Sequence, residues 1–281
     1  MPFVAKIERI LDSRMFRSAL IPIISYLGRS QGQGIEKISC EQGVWLHKTS
    51  GGYFAYPHPY LRLDMAKMDA AAKEHFFWGY TPRPGDIVMD VGAGVGEETL
   101  TFCRAVGERG RVICVEAHPR TFRCLETLVE RNRLSNVTAL HLAVTEPFCT
   151  AVTIGDSDQY LRNRLDSGRG FLVSATTIDA LHEKLGLGRI DFLKLNIEGA
   201  ERFAIRGMAE TLKHTAILCV SCHDFLAESS GDRGMRTKAQ VRQFLQERGF
   251  RVAARPEAGL MPYLRDQVWA YNDAILAAVA S

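Results

Sequence analysis

From residue 85 onward, short apolar runs rich in β-branched residues alternate with stretches of helical periodicity, and this alternation limits the possible folds more than any other property of the sequence. The runs are Ile87-Val88-Met89-Asp90-Val91, Arg111-Val112-Ile113-Cys114-Val115-Glu116 and Val137-Thr138-Ala139-Leu140-His141-Leu142. Helical stretches near 97–107 and 119–133 separate them. The second carries Phe122, Leu125 and Val129 on one face and Pro119 in its first turn, where a missing N–H leaves no hydrogen bond unmade. Strand and helix repeated in this order predict a parallel sheet with right-handed crossovers. Such a sheet binds ligands at the carboxyl ends of its strands. The pattern continues through 190–196 and 215–221, a helix near 236–248 with Val241, Phe244 and Leu245 inward, and late strands at 250–253 and 267–271. Two strands after the last helix suit an antiparallel edge.

Composition sets limits around this frame. With 281 residues, 46% hydrophobic and 24% charged, the chain can bury the core of one large domain with an appendage. The formal net charge is +3, with Lys and Arg scattered among acids, so neither nucleic acid nor an anionic membrane is expected as a partner. Seven cysteines form no disulfide framework, which predicts reduced thiols and a cytoplasmic location. Cys219 and Cys222 make a CxxC, but the apolar run at 216–220 reads as a buried strand that points the two thiols to opposite faces, as core residues. His47, His58 and His75 lack metal-ligand spacing, and Asp156 with Asp158 reads as a solvated loop, so no metal site is expected.

Residues 1–80 read as an N-terminal appendage and 81–281 as the main domain. Ile7, Ile10, Leu11 and Met15 predict an amphipathic helix up to Pro22, packed on its own domain or on a sister subunit, which makes a homodimer reasonable. The apolar run 19–24 is far short of the ~20 residues of a membrane span, so no integral membrane association is expected. Gly28 to Gly34 predicts a flexible boundary. The aromatic-rich segment 51–60 reads either as the lining of a pocket or as a turn covering the core. A polar insertion over 155–170, with Arg162, Arg164 and Arg169, reads as a lid over an anionic acceptor group or as a solvated loop.

The chemistry starts at Asp90-Val91-Gly92-Ala93-Gly94-Val95-Gly96-Glu97-Glu98-Thr99. Three glycines after a strand let the backbone turn tightly and admit a ligand where a Cβ would obstruct it. Glu116 stands 20 residues beyond Gly96, at the end of the next strand, where a carboxylate accepts both hydroxyls of a ribose. The spacing is GxGxG rather than GxGxxG, and Glu97 and Glu98 occupy the helix start where a dinucleotide would place its pyrophosphate. S-adenosylmethionine, with a sulfonium and an ammonium in place of phosphates, fits this better than NAD. Asp90 is expected to attract those cationic groups directly or through water.

These segments, together with Val115-Glu116-Ala117-His118-Pro119, Thr177-Ile178-Asp179-Ala180-Leu181 and Ile190-Asp191-Phe192-Leu193-Lys194-Leu195-Asn196-Ile197-Glu198-Gly199-Ala200-Glu201, resemble in order the signatures of the FkbM-type methyltransferases, across about residues 60–225. The resemblance implies a Rossmann-like class I α/β fold with a mostly parallel seven-stranded sheet and an antiparallel edge strand, here preceded by an N-terminal helical appendage. It implies S-adenosylmethionine as cofactor and, usually, O-methylation of a hydroxyl on a small metabolite, sugar or natural product. Carried over, Asp90, Gly92, Gly94 and Gly96, with Glu97 and Thr99 beside them, hold the methionine end, Glu116 and Ala117 the ribose, and Ala143 and Val144 the adenine. Where the family usually has an aspartate this chain has Asn196, which weakens any mechanism needing a carboxylate there.

Methyl transfer needs the acceptor oxygen in line with the methyl carbon and water excluded. An alcohol also benefits from a base. His223, just past the strand at 215–221, is the candidate base, with pairing to Asp224 or a turn as its alternative. Asn196 could orient a hydroxyl through its amide. Glu198 either accepts a hydrogen bond from the acceptor or the methionine ammonium, or serves as an acidic residue at a helix start. Methylation of nitrogen or of a macromolecule, and a non-catalytic cofactor-binding domain, remain as other readings.

Overall fold

The computed structural model describes residues 17–30, 34–61, 63–155, 170–256 and 261–280. Helix α1 (Arg17–Ser30) leads into three strands, β1 (Ile35–Glu41), β2 (Val44–Thr49) and β3 (Gly52–Tyr56), and then α2 (Met65–Phe76). The alternating region follows as β4 (Ile87–Val91), α3 (Thr99–Val106), β5 (Arg111–Glu116), α4 (Pro119–Asn132) and β6 (Val137–His141). Next come β7 (Ala143–Val144), β8 (Ala151–Ile154), β9 (Phe171–Thr176), α5 (Ile178–Lys184) and β10 (Ile190–Leu195). Short helices α6 (Glu201–Ala204) and α7 (Ala209–Leu212) precede β11 (Thr215–Ser221), and α8 (Asp224–Ser230) and α9 (Lys238–Gln246) follow it. The chain closes with β12 (Arg251–Ala253), α10 (Pro262–Arg265), β13 (Gln267–Tyr271) and α11 (Asp273–Ala280).

The main sheet has the order β12-β13-β11-β10-β4-β5-β6. Strands β11, β10, β4, β5 and β6 are mutually parallel, and β13 runs antiparallel to both β11 and β12, so the antiparallel strand lies one place in from the edge. Every residue of β10 and β11 is buried, as expected for central strands covered on both faces. The period of two sorts the side chains: Met89, Val91, Leu193, Leu195 and Leu218 face the layer of α5 to α9, while Val88, Phe192 and Trp269 face Phe76, Phe102 and Leu125 on the other side. Cys219 belongs to one layer and Cys222 to the other, as the strand period requires, and burial pushes both thiols upward.

The N-terminal part departs from a helical appendage. Residues 35–56 form an antiparallel meander, β1-β2-β3. Gln42 and Gly43 join β1 to β2 with φ values of 49° and 88°, the doubly left-handed geometry that suits a two-residue hairpin. The Gln-Gly pair is a weaker sequence signal than Asn-Gly, and the alternation in this segment is blurred because β2 is buried at five of its six positions. The aromatic segment therefore supplies a strand whose Phe54 and Tyr56 are buried, and it covers the core. The meander is clasped to α4 by Asn132, whose Oδ1 accepts from Tyr53 N and whose Nδ2 donates to Tyr53 O, both at 2.8 Å. Its core is continuous with the main domain through Val95, Leu100, Cys124 and Leu128.

Helix α1 runs through Pro22 instead of ending there, and continues to Ser30, into the start of the boundary expected at 28–34, of which residues 31–33 lie outside the described residues. Proline removes one helical hydrogen bond, but the residues beyond it are docked: Ile24 is fully buried, and Ser25 Oγ accepts from Ile38 N at 3.1 Å. Ile23 and Tyr26 remain exposed. Ile7, Ile10, Leu11 and Met15, and the polar insertion from Asp156 to Arg169, lie outside the described residues. No helix among the described residues is long and apolar enough to cross a membrane.

Candidate active site

The glycine loop between β4 and α3 is shaped by contacts that only glycine permits. Gly92 has φ +81°, and a Cβ there would lie 1.9 Å from the backbone oxygen of Asn196. The loops after β4 and β10 can touch only because position 92 lacks a side chain. Gly92 N and Ala93 N both donate to Val115 O, at 2.8 and 3.1 Å, which locks the loop onto β5. Gly94 (φ +60°) faces open space, leaving its backbone approachable by a ligand.

At the end of β5, Glu116 accepts from Gly94 N at 2.9 Å through Oε2 and from His118 N at 2.8 Å through Oε1. Burial pushes its carboxyl upward, while these two N–H donors favour the ionised form. Each oxygen keeps a second lone pair, the arrangement a ribose diol needs. Beside Glu116 opens a cleft of about 110 Å³, against the 10–15 Å³ or so that one water requires. Gly92, Gly94, Glu116, Ala117, Ala143, Val144, Asn196 and Glu198 line it, all candidates from the sequence. Leu142, Ala143, Val144 and Ile154 supply an apolar wall fit for an adenine, and His118 and Thr121, which the sequence reading passed over, complete that end. His118 is the N-cap of α4, its side chain accepting from Thr121 N.

Asp90, Gly96, Glu97, Thr99 and His223 stand back from the cleft. Asp90 does not offer its carboxylate to a ligand, because it is fully buried and its Oδ1 pairs with Lys194 Nζ at 2.6 Å. The two positions are register partners on β4 and β10. Lys194 Nζ also donates to Gly92 O at 3.1 Å and lies 5.0 Å from the centre of the Phe76 ring. Burial opposes charge on the ammonium, but the neighbouring carboxylates of Asp90 and Glu98 outweigh it and hold its pKa above the ordinary lysine value. Asp90 thus acts on the glycine loop through Lys194, a residue not singled out in the sequence. Glu97 accepts from Tyr56 OH at 3.0 Å, tying the loop to the meander. Thr99 is buried at the start of α3, its Oγ1 3.5 Å from Cys114 Sγ, because the helix turns that face to the sheet.

The loop after β10 contributes Asn196 and Glu198 to the lining of the same cleft. His223 lies behind Glu198, buried, with Nε2 3.3 Å from Glu198 Oε1 and Nδ1 3.0 Å from Glu201 Oε1. Each ring nitrogen faces a carboxylate acceptor, which only the imidazolium satisfies at both ends. Burial by itself would lower this histidine's pKa; the hydrogen bonds and charges of Glu198 and Glu201 outweigh it and hold it up to about 10. Two carboxylates around the ring favour its protonated form, which speaks against His223 as the base that takes a proton from an acceptor. Glu198 is the group it leaves beside the cleft. Glu201, fully buried and equally unanticipated, had one signal in the sequence: its place in the Glu-Gly-Ala-Glu segment.

No curated protein matches the chain in sequence. Similar solved structures include the methyltransferase FkbM from Methylobacillus flagellatus, 18% identical over 67% of this chain and 44% of that one with a TM-score of 0.46. The present chain thus spans less than half the length of that relative. Fibrillarin from Aeropyrum pernix with natively bound S-adenosyl-L-methionine is 15% identical over 84% of this chain and 98% of that one, with a TM-score of 0.43. The O-methyltransferase TomG from Streptomyces achromogenes, in complex with S-adenosylmethionine, is 11% identical over 74% of this chain and 78% of that one, with a TM-score of 0.45. The sequence profile of the methyltransferase FkbM domain matches residues 90–252, more than half of the chain, from the start of the glycine loop to β12. The chain belongs to the FkbM methyltransferase family, Rossmann-like enzymes that use S-adenosylmethionine as methyl donor.

Proposed function

We propose that this methyltransferase acts on oxygen, transferring a methyl group in line to a hydroxyl of a small metabolite, sugar or natural product. The carrying observation is Glu198, which lines the same cleft as Glu116 and Asn196. When bound, S-adenosylmethionine supplies an activated methyl carbon on a sulfonium. Glu116 and the Gly94 backbone hold the ribose, Ala143, Val144 and Ile154 flank the adenine, and Gly92 allows close approach at the methionine end. Asn196 orients the acceptor hydroxyl by its side-chain amide, a role that needs no carboxylate. Glu198 would accept the proton of the acceptor hydroxyl.

A cleft with no Lys or Arg among its described lining residues favours a small uncharged acceptor over a nucleic acid. A reducing, cytoplasmic setting is proposed from the sequence, whose seven cysteines suggest no disulfide framework. The test is methyl transfer from radiolabelled S-adenosylmethionine to a panel of hydroxylated and aminated small molecules. Transfer to a hydroxyl, lowered about 10²–10⁴-fold in Glu198→Gln with cofactor binding retained, supports the reading. Transfer to amines alone, or cofactor binding without turnover on any acceptor, refutes it.

A further inference from the structure

We infer that Glu201 and His223 are positioning residues that together aim the Glu198 carboxylate into the acceptor side of the cleft. The inference rests on the proposed role of Glu198 and adds how the fold keeps that carboxylate in place.

The backbone at this point is unusual. Glu198 has φ +52° and Gly199 φ +92°, two successive residues in the left-handed region. For a non-glycine residue that conformation is strained and persists only where its surroundings enforce it. One oxygen atom does most of the enforcing. Glu201 Oε1 accepts from Ile197 N at 3.1 Å and from Gly199 N at 3.2 Å, the two amides flanking Glu198, and meets His223 Nδ1 at 3.0 Å. The imidazole then passes the constraint to the side chain, with Nε2 against Glu198 Oε1. Glu201 Oε2 accepts from Thr237 Oγ1 at 3.4 Å, anchoring the carboxylate at the start of α9. A Cβ at Gly199 would fall 2.5 Å from Met235 Sδ, so the turn at Arg233–Met235 closes the loop from behind.

Charge agrees with this geometry. Two carboxylates and one imidazolium leave a single negative charge beside a site for a sulfonium. With His223 neutral, one carboxylate would lose its donor, and Glu198 would be free to turn toward solvent. With Glu201 absent, both flanking amides would lose their acceptor and the main constraint on the left-handed Glu198 would be gone.

The experiment uses the full chain and two readouts. Nitrogen-15 NMR of the histidine ring at pH 8 reports protonation directly and needs no acceptor; both His223 nitrogens are expected to carry protons in the wild type, and Glu201→Gln, which keeps an oxygen for the two amides, is expected to lose one. Turnover of whichever acceptor the panel identifies is then compared in His223→Gln, Glu198→Gln and the double variant. His223→Gln is expected to lower kcat by about 10²-fold with cofactor affinity changed less than about threefold, and to cost little more in the Glu198→Gln background, because residues acting as a unit are non-additive. A neutral His223 at pH 8, or losses that multiply fully in the double variant, overturns the inference. If no acceptor is turned over, the function reading fails while the NMR result still decides whether the Glu201–His223–Glu198 chain exists.

Discussion

Replacing Lys194 by Met should unseat the glycine loop without altering any residue that lines the cleft. Lys194 and Asp90 are 1% and 0% exposed, and Asp90 Oδ2 has no hydrogen-bond partner, so the carboxylate depends on the ammonium for its compensation. Removing one member of a buried pair strands the other charge, at a cost of roughly 3–5 kcal/mol. At roughly 2–4 °C per kcal/mol for a domain of this size, melting should fall by about 6–20 °C. The loss should shrink on acidification. Burial pushes the Asp90 carboxyl upward, so without Lys194 the folded state binds a proton that the unfolded chain releases, and stability falls as pH rises between those two pKa values. The cofactor should bind more weakly as well, since Gly92 O loses its donor. Differential scanning calorimetry from pH 5 to 8 on Lys194→Met and on Asp90→Leu/Lys194→Met tests this. The double variant should recover much of the loss, because a buried pair can often be exchanged for apolar residues at little cost. A single variant within about 1 kcal/mol of wild type, or a double variant no better than the single, refutes the reasoning.

Further outcomes follow from the same geometry. Gly92→Ala combines a left-handed φ with a 1.9 Å approach to Asn196 O, so it should destabilise by more than about 2 kcal/mol in urea unfolding and abolish cofactor binding. Glu116→Ala should raise the Kd for S-adenosylmethionine by about 10²-fold in calorimetry, for two lost hydrogen bonds of about 1.5 kcal/mol each to a charged group; an unchanged Kd would remove Glu116 from the ribose site. His223, whose folded pKa is raised to about 10, stabilises fully below its ordinary value near 6.5 and loses that contribution as pH rises through about 10, so the stability gap between wild type and His223→Gln should narrow in a melting series from pH 6 to 10.5. Methyl transfer should survive EDTA, since the cleft gathers no metal-ligating cluster among the described residues; loss of turnover restored by magnesium would overturn this.

The sheet was legible in the sequence because its information is local. Strand β4 and helix α4 announce themselves through period and through Pro119, and the opposite placement of Cys219 and Cys222 follows from the strand period alone. Gly92 and Gly94 are visible because a left-handed turn favours glycine, and Glu116 because its distance from that turn is set by one helix and one strand. The meander was harder to see, since its Gln-Gly turn is weak and its strands are held by Asn132, 79 residues beyond Tyr53 in the chain.

The sequence by itself determined the fold class, the glycine loop and the carboxylate at the end of β5, since these rest on dihedral preference and periodicity within a few tens of residues. The tertiary structure alone decided what the charged groups do. Asp90 and Lys194, 104 residues apart, become one buried pair only when β4 and β10 take up their register, and His223 meets two carboxylates only when β11 delivers it between Glu198 and Glu201. A side chain's type is written in the sequence, but its protonation and partners depend on burial and on neighbours distant in the chain, and those exist only in the folded molecule.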